Sequence, residues 1–263
     1  AQTCLEGLLQ RKMAPREVGF YLSQLPSVPG INRVDLSQQD WSNWPVSEWE
    51  KFLLALEPML SVPLELFNAS GIVTEDNNEN PTPTVQHILA LTQLLTQINV
   101  TQFDISHQRL TQESFSLLLE SFAYQPLSAL YLMDANMTDI SVSYLSELIA
   151  SGFNLSDLHL AKNQIGDSGI TQISQVLPNS SLRVLNVAHN LFSDLGLQKL
   201  GLGIQQSFLQ SLDLSSQLLS ANGLRLFSDA LEGNSSLSRL RLSHTGLADE
   251  HLSALQNCLE NLE

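Results

Sequence analysis

Apolar residues recur along this chain with two alternating periods. In "LSDLHLAKNQIGDSGI" (155–170), Leu155, Leu158 and Leu160 form an L-x-x-L-x-L core that closes on the period of two expected of a short strand. The overlapping "GITQISQVL" (169–177) then sets Ile170, Ile173, Val176 and Leu177 at the spacing of one helix face. The double pattern returns in "LRVLNVAHNLFSDLGLQKL" (182–200), "LQSLDLSSQLLSANGLRLF" (209–227) and "LSRLRLSHTGLADEHLSAL" (237–255). The second anchor of each copy falls at Leu158, Leu185, Leu212 and Leu240, in steps of 27, 27 and 28 residues. Earlier anchors at Leu130, Phe103, Leu64 and Val34 bring the total to eight copies over residues 31–263, of which the first three are degenerate.

Neither half of such a unit can bury its apolar side alone, whereas stacked copies bury both. The expected fold is therefore an α/β solenoid, with parallel strands on a concave face and helices on a convex face. Gly169, Gly196 and Gly223 recur just before the helix, where the chain must pass close to its neighbour.

The repeats resemble the ribonuclease-inhibitor type of leucine-rich repeat, whose units each carry a full helix. That resemblance implies a horseshoe and a scaffold Asn after the strand that hydrogen-bonds turn backbone inside the solenoid. The Asn is present at Asn163 and Asn190 and replaced by Gln39, Gln108, Gln217, Thr245, Ala69 and Ala135. The two alanines predict local irregularity. The acidic, Asn- and Pro-rich "TEDNNENPTPT" (74–84) stretches the second anchor step to 39 residues and predicts a loop insert ahead of the helix "VQHILALTQLLTQI".

Residues 1–30 have apolar spacing at Val18, Leu22 and Leu25, with Pro15 suited to a helix start and Pro26, Pro29 and Gly30 to its end. They are expected to form a helical cap, followed by one repeat domain over 31–263. The final "LADEHLSALQNCLENLE" stops on a repeat helix with no polar cap, so the native chain is expected to continue. Ser47 and Glu50 have capping-box spacing, and Trp49 is in phase with Phe52, Leu53 and Leu56. Trp41 takes an apolar repeat slot, while Trp44, ahead of Pro45, has no core phase.

Charge narrows the partners. Twelve basic against 27 acidic residues give a net charge of -15, which counts against nucleic acid and anionic membranes. No apolar run approaches the ~18 residues of a membrane span. The two cysteines, Cys4 and Cys258, lie at opposite ends of the chain, with no CxxC pattern or disulfide framework. A reducing, intracellular environment follows as the expectation. Six N-x-S/T sequons occur, at Asn68, Asn99, Asn136, Asn154, Asn179 and Asn234. Four of them, Asn99, Asn154, Asn179 and Asn234, fall just before the strand, where polar turn residues are needed anyway.

Asp157, His159 and Asp167 include the residue types of an acid–base site, but repeat phase separates them. The residues flanking the strand anchors form outward columns. The central column reads Asp35, Glu65, Asp104, Tyr131, His159, Asn186, Asp213 and Arg241. The preceding one reads Arg33, Pro63, Gln102, Ala129, Asp157, Val184, Ser211 and Arg239. The following one reads Ser37, Phe67, Ser106, Met133, Ala161, Ala188, Ser215 and Ser243. Neighbours in a column stand about 4.8 Å apart. Around Asp157 and His159 they supply no convergent set of metal ligands. There is no GxSxG elbow, P-loop or GxGxxG either. His107, His189 and His244 sit just after the strand and read as turn residues. No cofactor, metal or catalytic residue is expected.

The function expected is that of a non-catalytic, monomeric module binding a protein partner on its concave face. Tyr131, Met133, Phe67 and His159 would be the central contacts, and Asp104, Asp157 and Asp213 would supply charge complementarity. Arg239 and Arg241 would meet an acidic group. The Ser-, Gln- and Asn-rich, Cys-poor character resembles leucine-rich effectors that intracellular bacterial pathogens deliver into host cells. Two alternatives follow from the repeat type: a GTPase-activating protein like the Ran GTPase activators, or the sensor segment of an innate-immune receptor.

Overall fold

A computed structural model of the chain describes residue 17 and residues 30–37, 39–60, 63–71 and 82–246. The expected cap and most of the 74–84 insert lie outside the described residues, as do both cysteines. The chain divides into two compact units, Ala1–Ala135 and Asn136–Glu263.

In the first unit, β1 (Arg33–Asp35), β2 (Leu64–Asn68), β3 (Val100–Asp104) and β4 (Ala129–Tyr131) pair in parallel and in chain order. Parallel neighbours need a crossover, and helices supply it. They are α1 (Val46–Leu56), α2 (Val85–Leu95) and α3 (Gln112–Phe122). The core between the strands and helices is aromatic. Trp41 stacks on Trp49 at 4.7 Å, Trp49 on Phe52 at 5.6 Å, and Phe67 on Phe103 at 5.9 Å. Trp44 is buried with them, edge-on to Trp49 and Phe52, although its sequence position has no helical phase. α1 begins at Val46 after Pro45, so Ser47 lies inside the helix and does not cap it. Thr84 caps α2 in a reciprocal box with His87. The ring of His87 is buried, and its Nε2 lies 2.7 Å from the Trp44 carbonyl. A carbonyl can only accept, so Nε2 carries the proton and pins the Trp44 turn onto α2.

The second unit contains β5 (Asp157–His159), β6 (Val184–Asn186), β7 (Ser211–Asp213) and β8 (Arg239–Arg241), again parallel and in chain order. Its helices are α4 (Asp139–Ala150), α5 (Asp167–Val176), α6 (Asp194–Gln205) and α7 (Ala221–Ala230). Leu158, Leu185 and Leu212 are fully buried anchors, and Ile173, Leu200 and Phe227 on the helices are fully buried as well. Here the helices pack through glycine. A Cβ on Gly203 would lie within van der Waals overlap of the Ser174 backbone, and one on Gly201 would touch Ala230 and Phe227. Eight strands and, among the described residues, seven α-helices thus follow the unit-by-unit order of an α/β leucine-rich-repeat solenoid.

Two devices recur along the chain. The fourth residue after six of the anchors turns left-handed, with φ between 52 and 60° at His107, Asp134, Lys162, His189, Ser216 and His244. The recurrent histidines are therefore turn residues. Next to that turn sits the scaffold amide. Asn190 donates to the carbonyls of Leu160 and Val187 at 3.0 Å and accepts from the Ile165 amide at 3.1 Å. Asn163 does the same work for Leu160 and Met137. Around Ala135, which lacks such a side chain, both Asp134 and Asn136 are left-handed, so the irregularity expected there is found.

The second copy requires a correction. Val34 pairs with Phe67, and Phe67 with Phe103, so Phe67 is the anchor and the sequence-based register was three residues early. Phe67 is fully buried and is not a surface contact. Ala69 then falls in a leucine slot, and the Asn-equivalent position of that copy lies outside the described residues.

Candidate binding surface

With the register corrected, the central outward column of the first unit is Asp35, Asn68, Asp104 and Tyr131. In the second unit it is His159, Asn186, Asp213 and Arg241. Five of these side chains do the same thing. Each accepts a hydrogen bond from the backbone amide two residues on: Asp35 from Ser37, Asn68 from Ser70, Asp104 from Ser106, Asn186 from Ala188 and Asp213 from Ser215, all at 2.9–3.0 Å. This is the Asx turn, which satisfies an amide as the strand ends. One oxygen of Asp104 and Asp213 is thereby committed to the scaffold. Tyr131, His159 and Arg241 are the three positions where the column carries a side chain that cannot make this turn.

Each unit gathers part of the predicted site. In the first, Asp104 lies in register with Tyr131, and the Met133 amide donates to Ser106 Oγ at 3.1 Å. His107 Nδ1 stands 3.2 Å from Asp134, an ion pair whenever the ring is protonated. Burial raises the Asp104 carboxyl above its usual range and outweighs the hydrogen bonds from Ser106 and the nearby His107, which lower it. In the second unit, Arg241 reaches to 3.9 Å from Asp213, and Arg239 is exposed in register with Ser211. Asp157 and His159 flank the buried Leu158 on β5, half-exposed and facing outward.

Asp167 has a different task. It sits in the first turn of α5 and its carboxylate accepts from the amides of Ser193 and Gly196, both at 2.8 Å, and from Ser193 Oγ at 2.7 Å. These hydrogen bonds overcome the opposing effect of desolvation and hold its pKa below the usual value. Asp139 likewise accepts from Gly166, and Asp194 from the Ser220 hydroxyl. The acid–base reading of Asp157, His159 and Asp167 thus dissolves into two surface residues and one inter-repeat clamp. Among the described residues no three His, Cys, Asp or Glu side chains are grouped to hold a metal ion. No described helix is long and apolar enough to cross a membrane.

Some surface features escaped the sequence reading. Leu191 and Leu218 hold the same position in successive repeats and are 69% and 93% exposed. The signal was an apolar residue where the preceding copy has Gln164. The Arg183 guanidinium covers the exposed ring of Phe208 at 5.2 Å. Asn234 of one sequon is buried and donates to the Ile204 carbonyl at 3.0 Å, so it is a scaffold residue.

No curated protein matches the chain. Among solved structures, an internalin, InlF from Listeria monocytogenes, matches at 20% identity and a TM-score of 0.48 over 87% of this chain and 53% of its own. A TLR13–ssRNA13 complex matches at 17% identity and a TM-score of 0.47 over 92% of this chain and 33% of its own. The chain therefore spans about half and about a third of their respective lengths. Residues 153–174 and 179–201, two successive units of the second half, match the family of the Leucine Rich repeat.

Proposed function

We propose that the chain is a non-catalytic protein-binding module whose strand faces hold the partner. The observation that carries this is the central column: five side chains are spent on the Asx turn, while Tyr131, His159 and Arg241 depart from it and stand outward. Tyr and Arg are the residue types that dominate binding energy at protein interfaces. Asp104, Asp157 and Asp213 add negative charge beside them. Arg239 and Arg241 present a basic end to an acidic group of the partner. Met133 supplies an adaptable apolar contact beside Tyr131. Among the described residues the outward columns present hydroxyls, amides and charges, including the Asp213–Arg241 pair, and no convergent nucleophile–base pair, which favours recognition over catalysis.

The finer assignment rests on repeat chemistry. Steps of 27 or 28 residues with a full helix in each support the ribonuclease-inhibitor type. We further propose a monomer that works inside cells, as a leucine-rich effector of an intracellular bacterium acting on host proteins. Low cysteine content and the scaffold use of Asn234 support an unglycosylated, reducing setting. The test is affinity capture from host-cell lysate with wild-type protein and a Tyr131→Ala/His159→Ala variant. Specific partners retained by the wild type and lost by the variant support the reading. Capture of every partner by both would overturn it.

A further inference from the structure

The helix side of the first unit differs from that of the second in a way that bears on binding. Helices α5, α6 and α7 of the second unit approach closely because Gly196, Gly201, Gly203 and Gly223 leave no Cβ between them. The sequences of α1, α2 and α3 contain no glycine. Two furrows lie on this side, of about 490 Å³ between α1 and α2 and about 460 Å³ between α2 and α3. Gln93 and Thr96 line both, so the furrows run along the two sides of α2.

Each helix presents a stripe at helical spacing. α1 and its C-cap offer Glu50, Leu53, Leu54 and Glu57, and α2 and the turn after it offer Ala90, Gln93, Leu94 and Gln97. α3 and the turn after it offer Leu117, Glu120, Ser121 and Tyr124. Stripes at i, i+3, i+4 and i+7 are the surface into which a further helix packs its own ridges. Leu54 is 69% exposed and Tyr124 90% exposed, large apolar groups left in water. Among the described residues the charges at the edge are all negative: Glu50, Glu57 and Glu120 line the furrows and no described Lys or Arg does. Lys51 of α1 is turned instead to Glu48, at 3.0 Å.

We propose that these furrows are a second docking surface, separate from the strand face, for a basic amphipathic helix of a partner protein. Its Leu-type side chains would enter the furrow over Leu53, Leu54 and Leu94, and its Lys or Arg side chains would meet Glu50, Glu57 and Glu120. The sign of the charge excludes an acidic helix and an anionic membrane as occupants.

The probe is a fluorescein-labelled 18-residue peptide of Leu and Lys at amphipathic-helix spacing, titrated with the full chain by fluorescence anisotropy at about 0.15 M salt, where long-range charge effects are screened. Saturable binding is expected. A Glu50→Lys/Glu57→Lys variant should weaken it at least tenfold. A Glu147→Lys/Glu232→Lys variant, with the same change in net charge elsewhere, should leave it within twofold, as should Tyr131→Ala on the strand face. Leu54→Gln, a change at a mostly exposed position, should weaken binding several-fold. A peptide with every Leu replaced by Gln and the same Lys content should not bind. The proposal is overturned if the Leu/Lys peptide fails to bind, if both charge-reversal variants weaken it equally, if Leu54→Gln has no effect, or if the Gln-substituted peptide binds as well. A loss on Tyr131→Ala would also overturn it, by placing the peptide on the strand face.

Discussion

The carboxylate of Asp167 in one repeat accepts the backbone amide of Gly196 in the next, at 2.8 Å. A Cβ added to Gly196 would sit 2.5 Å from that same oxygen and 3.0 Å from Phe192 Cβ. The glycine is therefore required by the aspartate, and the two form one joint between repeats. Gly196→Ala should destabilise by about 1–3 kcal/mol, because displacement of the carboxylate outweighs the ~1 kcal/mol of helix propensity that alanine gains. In the Asp167→Ala background the same change should cost clearly less. A double-mutant cycle from urea unfolding reads the coupling directly, and additive costs would refute the joint.

The same carboxylate sets a pH dependence. Its folded-state pKa lies below the usual value of 3.8, so the charged form is favoured by folding. The stability it supplies is fully present above pH 3.8 and is lost as pH falls through the lower folded-state value. Asp167→Asn should therefore be less stable than wild type at pH 7, with the gap closing below about pH 4. Melting temperatures between pH 3 and 7 check this; a constant gap would contradict it.

Asp104 carries the opposite sign. Burial raises its folded-state pKa, so keeping it charged costs stability above that pKa, and the cost is relieved as pH falls through it. Asn keeps the oxygen that accepts from Ser106 and removes the charge. Asp104→Asn should thus be as stable as wild type or more stable at pH 7, with any advantage vanishing in acid. A destabilised variant at pH 7 would show that the carboxylate has an unrecognised favourable partner.

Asn190 satisfies three carbonyls and an amide from inside the solenoid. Asn190→Leu should cost about 2–4 kcal/mol, since each orphaned buried group loses about 1–3 kcal/mol. Gln217 occupies the equivalent slot with one such bond, to the Val187 carbonyl at 3.1 Å. Gln217→Leu should cost less. Denaturant midpoints rank the two.

Unit length, strand–helix alternation and the second-half register were legible because Leu158, Leu185, Leu212 and Leu240 repeat without ambiguity. The second copy was not, because Leu64 and Phe67 are both apolar and both buried, and either fits an anchor slot. The Asx turn would have resolved it: "DLS", "DIS" and "DLS" at 35–37, 104–106 and 213–215 align with "NAS" at 68–70. Trp44 was illegible by phase because a buried irregular turn follows no period. The Asp–Gly joints escaped too, since each spans two repeats and depends on close approach of backbones. Tyr131 and His159 were singled out by column position alone. Why they differ from their neighbours needed the hydrogen bonds of the other five.

The most direct test of the strand-face claim places the photo-cross-linker p-benzoylphenylalanine in place of Tyr131, and separately in place of Leu202, which is 49% exposed on α6. Each protein is irradiated in host-cell lysate and its adducts are identified by mass spectrometry. The account predicts a specific protein adduct from position 131 that is absent from position 202. Adducts from position 202 with none from position 131 would contradict it.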